Sequence, residues 1–86
     1  MNHYLIKHVW TDNDNIYAET NNGWIASYPF AQWPRLANAT TKQRQTFTLS
    51  TFGIHWPDID EDLSFLGLFT DAGSHINNDT AIYYQP

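Results

Sequence analysis

Asn22-Gly23 separates two β-forming stretches, residues 16–21 and 24–28, and constrains the fold more than any other feature of the chain. Asn-Gly favours a two-residue type I′ turn, because both central residues need φ > 0. A loop of that length sets the register. It predicts Tyr17 opposite Tyr28 and Glu19 opposite Ala26, with a cross-strand Tyr pair contributing up to about 1 kcal/mol. Upstream, residues 4–10 are rich in β-formers and contain no Gly or Pro, which predicts a strand. Alternation puts Tyr4, Ile6 and Trp10 on one face and Leu5 and Val9 on the other. Both faces are partly apolar, so this strand is expected to be covered on both sides or paired centrally. The polar cluster at 11–15 supplies the turn into the hairpin.

After the hairpin the punctuation changes. Pro29 and Pro34 end the strand pattern and suit first helical turns. Residues 30–38 are expected to form one or two short helical turns, with Phe30, Trp33 and Leu36 on a shared face. Thr40-Thr41-Lys42-Gln43 has the form of a capping box, in which the Thr40 hydroxyl and Gln43 satisfy each other's backbone amides. That predicts a short helix over residues 41–45. Residues 46–51 alternate, with Phe47 and Leu49 on one side, as in a half-buried strand. Gly53-Ile54-His55-Trp56 is a further short strand, stopped by Pro57. The acids of residues 58–62 suit a helix N-terminus, where the macrodipole favours negative charge, so a short helix is expected from near Asp60. Residues 81–84 are expected to form a last strand or an ordered tail.

Eighty-six residues make one domain, 1–86, by length alone. A chain this short buries only about 60–65% of its unfolded surface and needs large side chains to build a core. Four Trp, five Tyr and five Phe supply them, and Trp10, Trp24 and Trp56 are expected to lie in that core. There is no Cys, which fits a reducing compartment and removes thiol nucleophiles and thiolate zinc sites. Neither a signal-like N-terminal layout nor an apolar run of about 20 residues is present, so a soluble, cytoplasmic protein without membrane contact is expected.

Charge is uneven. Residues 1–43 balance, whereas residues 44–86 set Arg44 against Asp58, Asp60, Glu61, Asp62, Asp71 and Asp79, which accounts for the whole net charge of −5. Nucleic-acid affinity comes mainly from Lys and Arg on phosphates. Four basic residues are too few, so direct nucleic-acid binding is disfavoured and a basic protein partner is the better electrostatic match.

One cluster has chemical potential: His55 with Asp58, Asp60, Glu61 and Asp62. Carboxylates suit Mg²⁺, Ca²⁺ or Mn²⁺, and a His among them suits Zn²⁺. The same residues equally describe a turn and helix cap, with Asp58-x-x-Glu61 as a capping box. The spacing is not that of an EF-hand, and His3, His8 and His75 have no ligand spacing relative to His55. No nucleophile elbow, dinucleotide fingerprint or P-loop occurs, and nothing calls for a cofactor. Trp33-Pro34-Arg35 is a candidate contact patch, since Trp and Arg are enriched at interface hot spots. The alternative is a core Trp33 and a solvated or acid-paired Arg35.

Asn22-Gly23 and the following strand, Trp33-Pro34-Arg35-Leu36, Ala39-Thr40, Gln43-Arg44, and Gly53 through Trp56-Pro57-Asp58-Ile59-Asp60-Glu61-Asp62-Leu63 together resemble the family called domain of unknown function 2442. The resemblance covers residues 3–69 or so and leaves out the tail, 70–86. It implies an α+β fold: a small curved antiparallel sheet of four to five strands with two or three short helices. It implies no activity. Some relatives carry a helix-turn-helix domain, for which this chain has no room. Others are encoded beside a small basic protein of another unknown family, an arrangement proposed to be toxin and antitoxin. Two functions are therefore expected to compete. One is an interaction or regulatory domain, antitoxin-like, that meets a basic partner through Trp33, Arg35, His55, Asp58, Asp60, Glu61 and Asp62. The other is a small metal-dependent hydrolase or nuclease built on His55 and the same acids. A homodimer formed through a free strand edge is compatible with either.

Overall fold

The computed structural model describes residues 2–71 and 80–85. The polar segment 72–79, with Ser74 and His75, lies outside them. The class is α+β. Strands β1 (Asn2–Thr11), β2 (Asn15–Thr20), β3 (Ile25–Pro29) and β7 (Thr80–Tyr83) form one sheet in the order β3-β2-β1-β7. Strands β4 (Thr48–Leu49), β5 (Gly53–Trp56) and β6 (Glu61–Ser64) form a second, antiparallel sheet. Between them run a 3-10 turn (Phe30–Gln32), α1 (Pro34–Ala37) and α2 (Thr41–Gln45), and α3 (Phe65–Asp71) follows β6. The expected single antiparallel sheet is thus divided in two. In the larger sheet β7 runs parallel to β1, and the other pairings are antiparallel.

The hairpin forms, with a shifted register. Ala18 faces Ala26 and Tyr17 faces Ser27, not Tyr28. Gly23 alone in the loop has positive φ, at 90°, and its amide donates to the Thr20 carbonyl (3.0 Å). Thr20 and Trp24 close a three-residue loop, 2.8 Å from amide to carbonyl. A type I turn followed by a left-handed Gly needs only one residue at φ > 0, and it moves every pair by one. The result places Ala18 and Ala26 together in the core, both almost fully buried.

A bulge at Lys7 changes the second expectation. Ile6 pairs with Thr20 but His8 pairs with Glu19, so one extra residue sits in β1. The strand faces exchange beyond it. Val9, opposite Ala18, packs on the core, whereas Trp10 joins His8 and Tyr17 on the outer face. Trp10 is therefore not a core residue. Trp24 is half-buried against Tyr4, ring centroids 4.5 Å apart. Trp56 is fully buried and donates from Nε1 to the Arg44 carbonyl, 2.9 Å.

One hydrophobic cluster spans both sheets, with Ile16, Phe30, Leu36, Trp56, Phe65 and Phe69 at its centre. The helix α2 follows the capping box closely: Thr40 Oγ1 accepts from the Gln43 amide (3.1 Å), and Gln43 Oε1 from the Thr40 amide (2.9 Å). The expected helix from Asp60 is absent. Residues 61–64 extend instead, because Leu63 opposite the buried Ile54 covers the core. The helix begins at Phe65, and Ser64 Oγ accepts from the Gly67 amide (2.9 Å) in its first turn.

Candidate functional site

The β5–β6 hairpin presents the acidic segment. Gly53 makes the pairing close: a Cβ there would sit 2.6 Å from the Leu63 carbonyl oxygen. Alternation buries Ile54, Trp56 and Leu63 and turns His55 and Asp62 outward as a cross-strand pair. His55 Nδ1 lies 2.7 Å from Asp62 Oδ1, with 38% and 73% of the two side chains exposed. An exposed pair of this kind contributes roughly 0–1 kcal/mol.

Four residues, 57–60, connect the strands. Ile59 packs on the core, and Asp58 and Asp60 stay exposed. Asp60 adopts φ 51°, a left-handed conformation that Asp tolerates better than most residues. Arg35, exposed on α1, donates from Nη1 to the Asp60 carbonyl oxygen. The guanidinium thus holds the turn by its backbone and not by the Asp60 carboxylate. Glu61 is half-buried, and its Oε1 accepts from the Asp62 amide (3.0 Å). Among the described residues no Lys or Arg pairs with Asp58, Asp60, Glu61 or Asp62.

Of the seven expected site residues, the fold joins Arg35 to the turn and His55 to Asp62. It does not gather the other acids around His55. Among the described residues, no three His, Asp or Glu side chains converge at metal-holding distance.

Trp33 occupies a different position. It lies between the 3-10 turn and α1, half-buried, with its ring 5.5 Å from that of Tyr28 at 39°. Its Nε1 is buried and has no acceptor among the described residues. A buried donor left unpaired costs about 1–3 kcal/mol. With Tyr28, Leu63, Ser64, Gly67, Leu68 and Asp71, it lines a cleft of about 70 Å³. Burial, followed by the neighbouring Asp71 charge and a hydrogen bond to it, raises the Tyr28 hydroxyl above its ordinary pKa. Tyr28 and Asp71 had no signal in the sequence, since the cleft draws on β3, the turn before α1, β6 and α3.

Arg44 was likewise unmarked. Its Nε and Nη2 donate to the Leu36 and Ala37 carbonyls (2.9 and 3.1 Å), and its Nη1 to the Asn13 carbonyl (3.2 Å). The guanidinium carbon lies 5.0 Å from the centre of the Phe30 ring. Two of the four cationic side chains, Arg35 and Arg44, therefore hold backbone carbonyls.

A family model described as "Protein of unknown function (DUF2442)" matches residues 6–74. Among solved structures, the chain is similar to a protein of unknown function from Rhodospirillum rubrum ATCC 11170, with a TM-score of 0.69 and 22% identity, over 90% of this chain and 95% of that one. At that identity the likeness shows the fold alone. No curated protein matches the chain. No helix among the described residues is long and apolar enough to cross a membrane.

Proposed function

The chain belongs to the family of unknown function DUF2442, and from that premise we propose that it is a small interaction domain, antitoxin-like, that binds a basic protein through its acidic face. The carrying observation is the β5–β6 turn. It displays the exposed carboxylates of Asp58, Asp60 and Asp62, with no cationic side chain among the described residues paired to them apart from the His55 contact. Ile59 packed on the core and Arg35 bound to the Asp60 carbonyl hold that display in place. Like charges fixed close together repel one another, and a complementary positive surface relieves that repulsion. Nucleic acid fits poorly, since Arg35 and Arg44 serve the backbone and leave Lys7 and Lys42 as the other cations. A cysteine-free chain suits a cytoplasmic setting.

The test is co-purification with the product of the adjacent gene, measured by size-exclusion chromatography with light scattering at low and high salt. The informative variant carries Asp58→Lys and Asp62→Lys with Asp60→Asn, because Asn keeps the left-handed conformation at that position. A complex is expected that salt weakens and that the variant weakens about tenfold or more. A complex indifferent to both, or none at all, defeats the reading.

A further inference from the structure

The Trp33 cleft lies beside the acidic turn: Leu63 and Ser64 of its lining continue the strand that carries Glu61 and Asp62, and α1 carries Arg35 to the Asp60 carbonyl. At about 70 Å³ it holds one side-chain end, well below the roughly 300–1,000 Å³ of small-molecule sites. Its lining combines two aromatic rings and a carboxylate at the end of α3. An anion is disfavoured by Asp71. A purely apolar group leaves the Asp71 charge without a counter-ion.

We propose that this cleft receives an arginine of the basic partner, its guanidinium stacked on Tyr28 and Trp33 and paired with Asp71. Arginine fits better than lysine because its planar, weakly hydrated head stacks on aromatic faces and pairs with a carboxylate at the same time. The assignment rests on the basic-partner reading and adds an anchoring point to it, next to the carboxylates that attract the partner.

The probe is the peptide acetyl-Gly-Arg-Gly-amide, titrated into ¹⁵N-labelled protein, with the citrulline peptide as its neutral isostere. The Trp33→Phe spectrum identifies which of the four indole signals belongs to Trp33. The arginine peptide is expected to move the Trp33 indole signal and the Gly67 and Leu68 amides. The citrulline peptide should move them much less. Asp71→Asn, at an exposed helix end, should weaken binding about fivefold. Equal effects from both peptides, binding unchanged by Asp71→Asn, or no movement of the Trp33 signal each overturn the assignment. Shifts confined to residues 58–62 overturn it too and leave the acidic-turn reading standing, which the co-purification assay decides independently.

Discussion

Trp10 and Tyr17 face each other across β1 and β2, ring centroids 5.3 Å apart and planes 6° from parallel. His8 stacks on the same indole at 4.7 Å. The Tyr17 hydroxyl donates to Asp12 Oδ2 (2.5 Å), while Asp12 Oδ1 accepts from the Asp14 and Asn15 amides, both 2.8 Å. The ladder on the outer face and the β1–β2 turn are therefore one bonded unit.

That unit has a pH signature. The Tyr17 hydroxyl first, then the Asp14 and Asn15 amides, holds the Asp12 carboxyl below its ordinary 3.8. The same bond holds the Tyr17 hydroxyl above 10.0. A lowered carboxyl contributes stability above its unfolded value and loses it as pH falls through the folded one. A raised phenol contributes below its unfolded value and loses it as pH rises through the folded one. The stability difference between wild type and Tyr17→Phe should thus be open between 3.8 and 10.0 and close beyond both ends. Urea unfolding across pH, with carboxyl NMR of Asp12, measures it; a gap constant with pH would refute the coupling.

Two glycines should respond differently to alanine. Around Gly23 no atom lies within 4 Å of a built Cβ, so Gly23→Ala meets only the cost of its φ of +90°, about 1–2 kcal/mol. Gly53→Ala drives a Cβ to 2.6 Å from the Leu63 carbonyl oxygen, and β6 has to move. Such overpacking costs about 1–3 kcal/mol or more. Amide spectra separate the two: Gly53→Ala should shift residues 61–64 and the His55 ring, and Gly23→Ala should leave them in place.

Arg44→Lys keeps the charge and loses the fork that reaches three carbonyls. A loss of about 1–3 kcal/mol is expected, visible as a lower melting temperature. An unchanged melt would show that the three bonds add nothing over solvent.

Local rules found what is locally determined. The capping box located α2, and Gly53 with Pro57 bounded β5, because each depends on neighbours within a few residues. The hairpin register failed by one place, since Asn-Gly fits both a type I′ loop and a type I loop with a left-handed Gly. Only the burial of Ala18 against Ala26 chooses between them. The bulge at Lys7 leaves no mark in residue types, yet it moves Trp10 out of the core. Acids at 58–62 suggested a helix because the macrodipole argument is local. Pairing of Leu63 with Ile54 overrides it, and Ser64, with its bond to the Gly67 amide, was the cap to look for. Of the site, the acidic turn was legible as a run of charges. The Trp33 cleft, assembled from four separate segments, was not.

The order β3-β2-β1-β7 bears on solubility. A ten-residue strand such as β1, left at a margin, would offer a long row of open amides and carbonyls to any other extended chain. Here β7 covers residues 2–5 on one margin, and β2 covers residues 6–11 on the other. Among the described residues the outermost strands are β3, five residues ending in Pro29, and β7, four residues long. A short margin and one closed by proline are poor templates for a foreign strand. Laying β7 along residues 2–5 of β1 thus shortens the open row of amides and carbonyls in a domain whose sheet surface carries stacked aromatic rings.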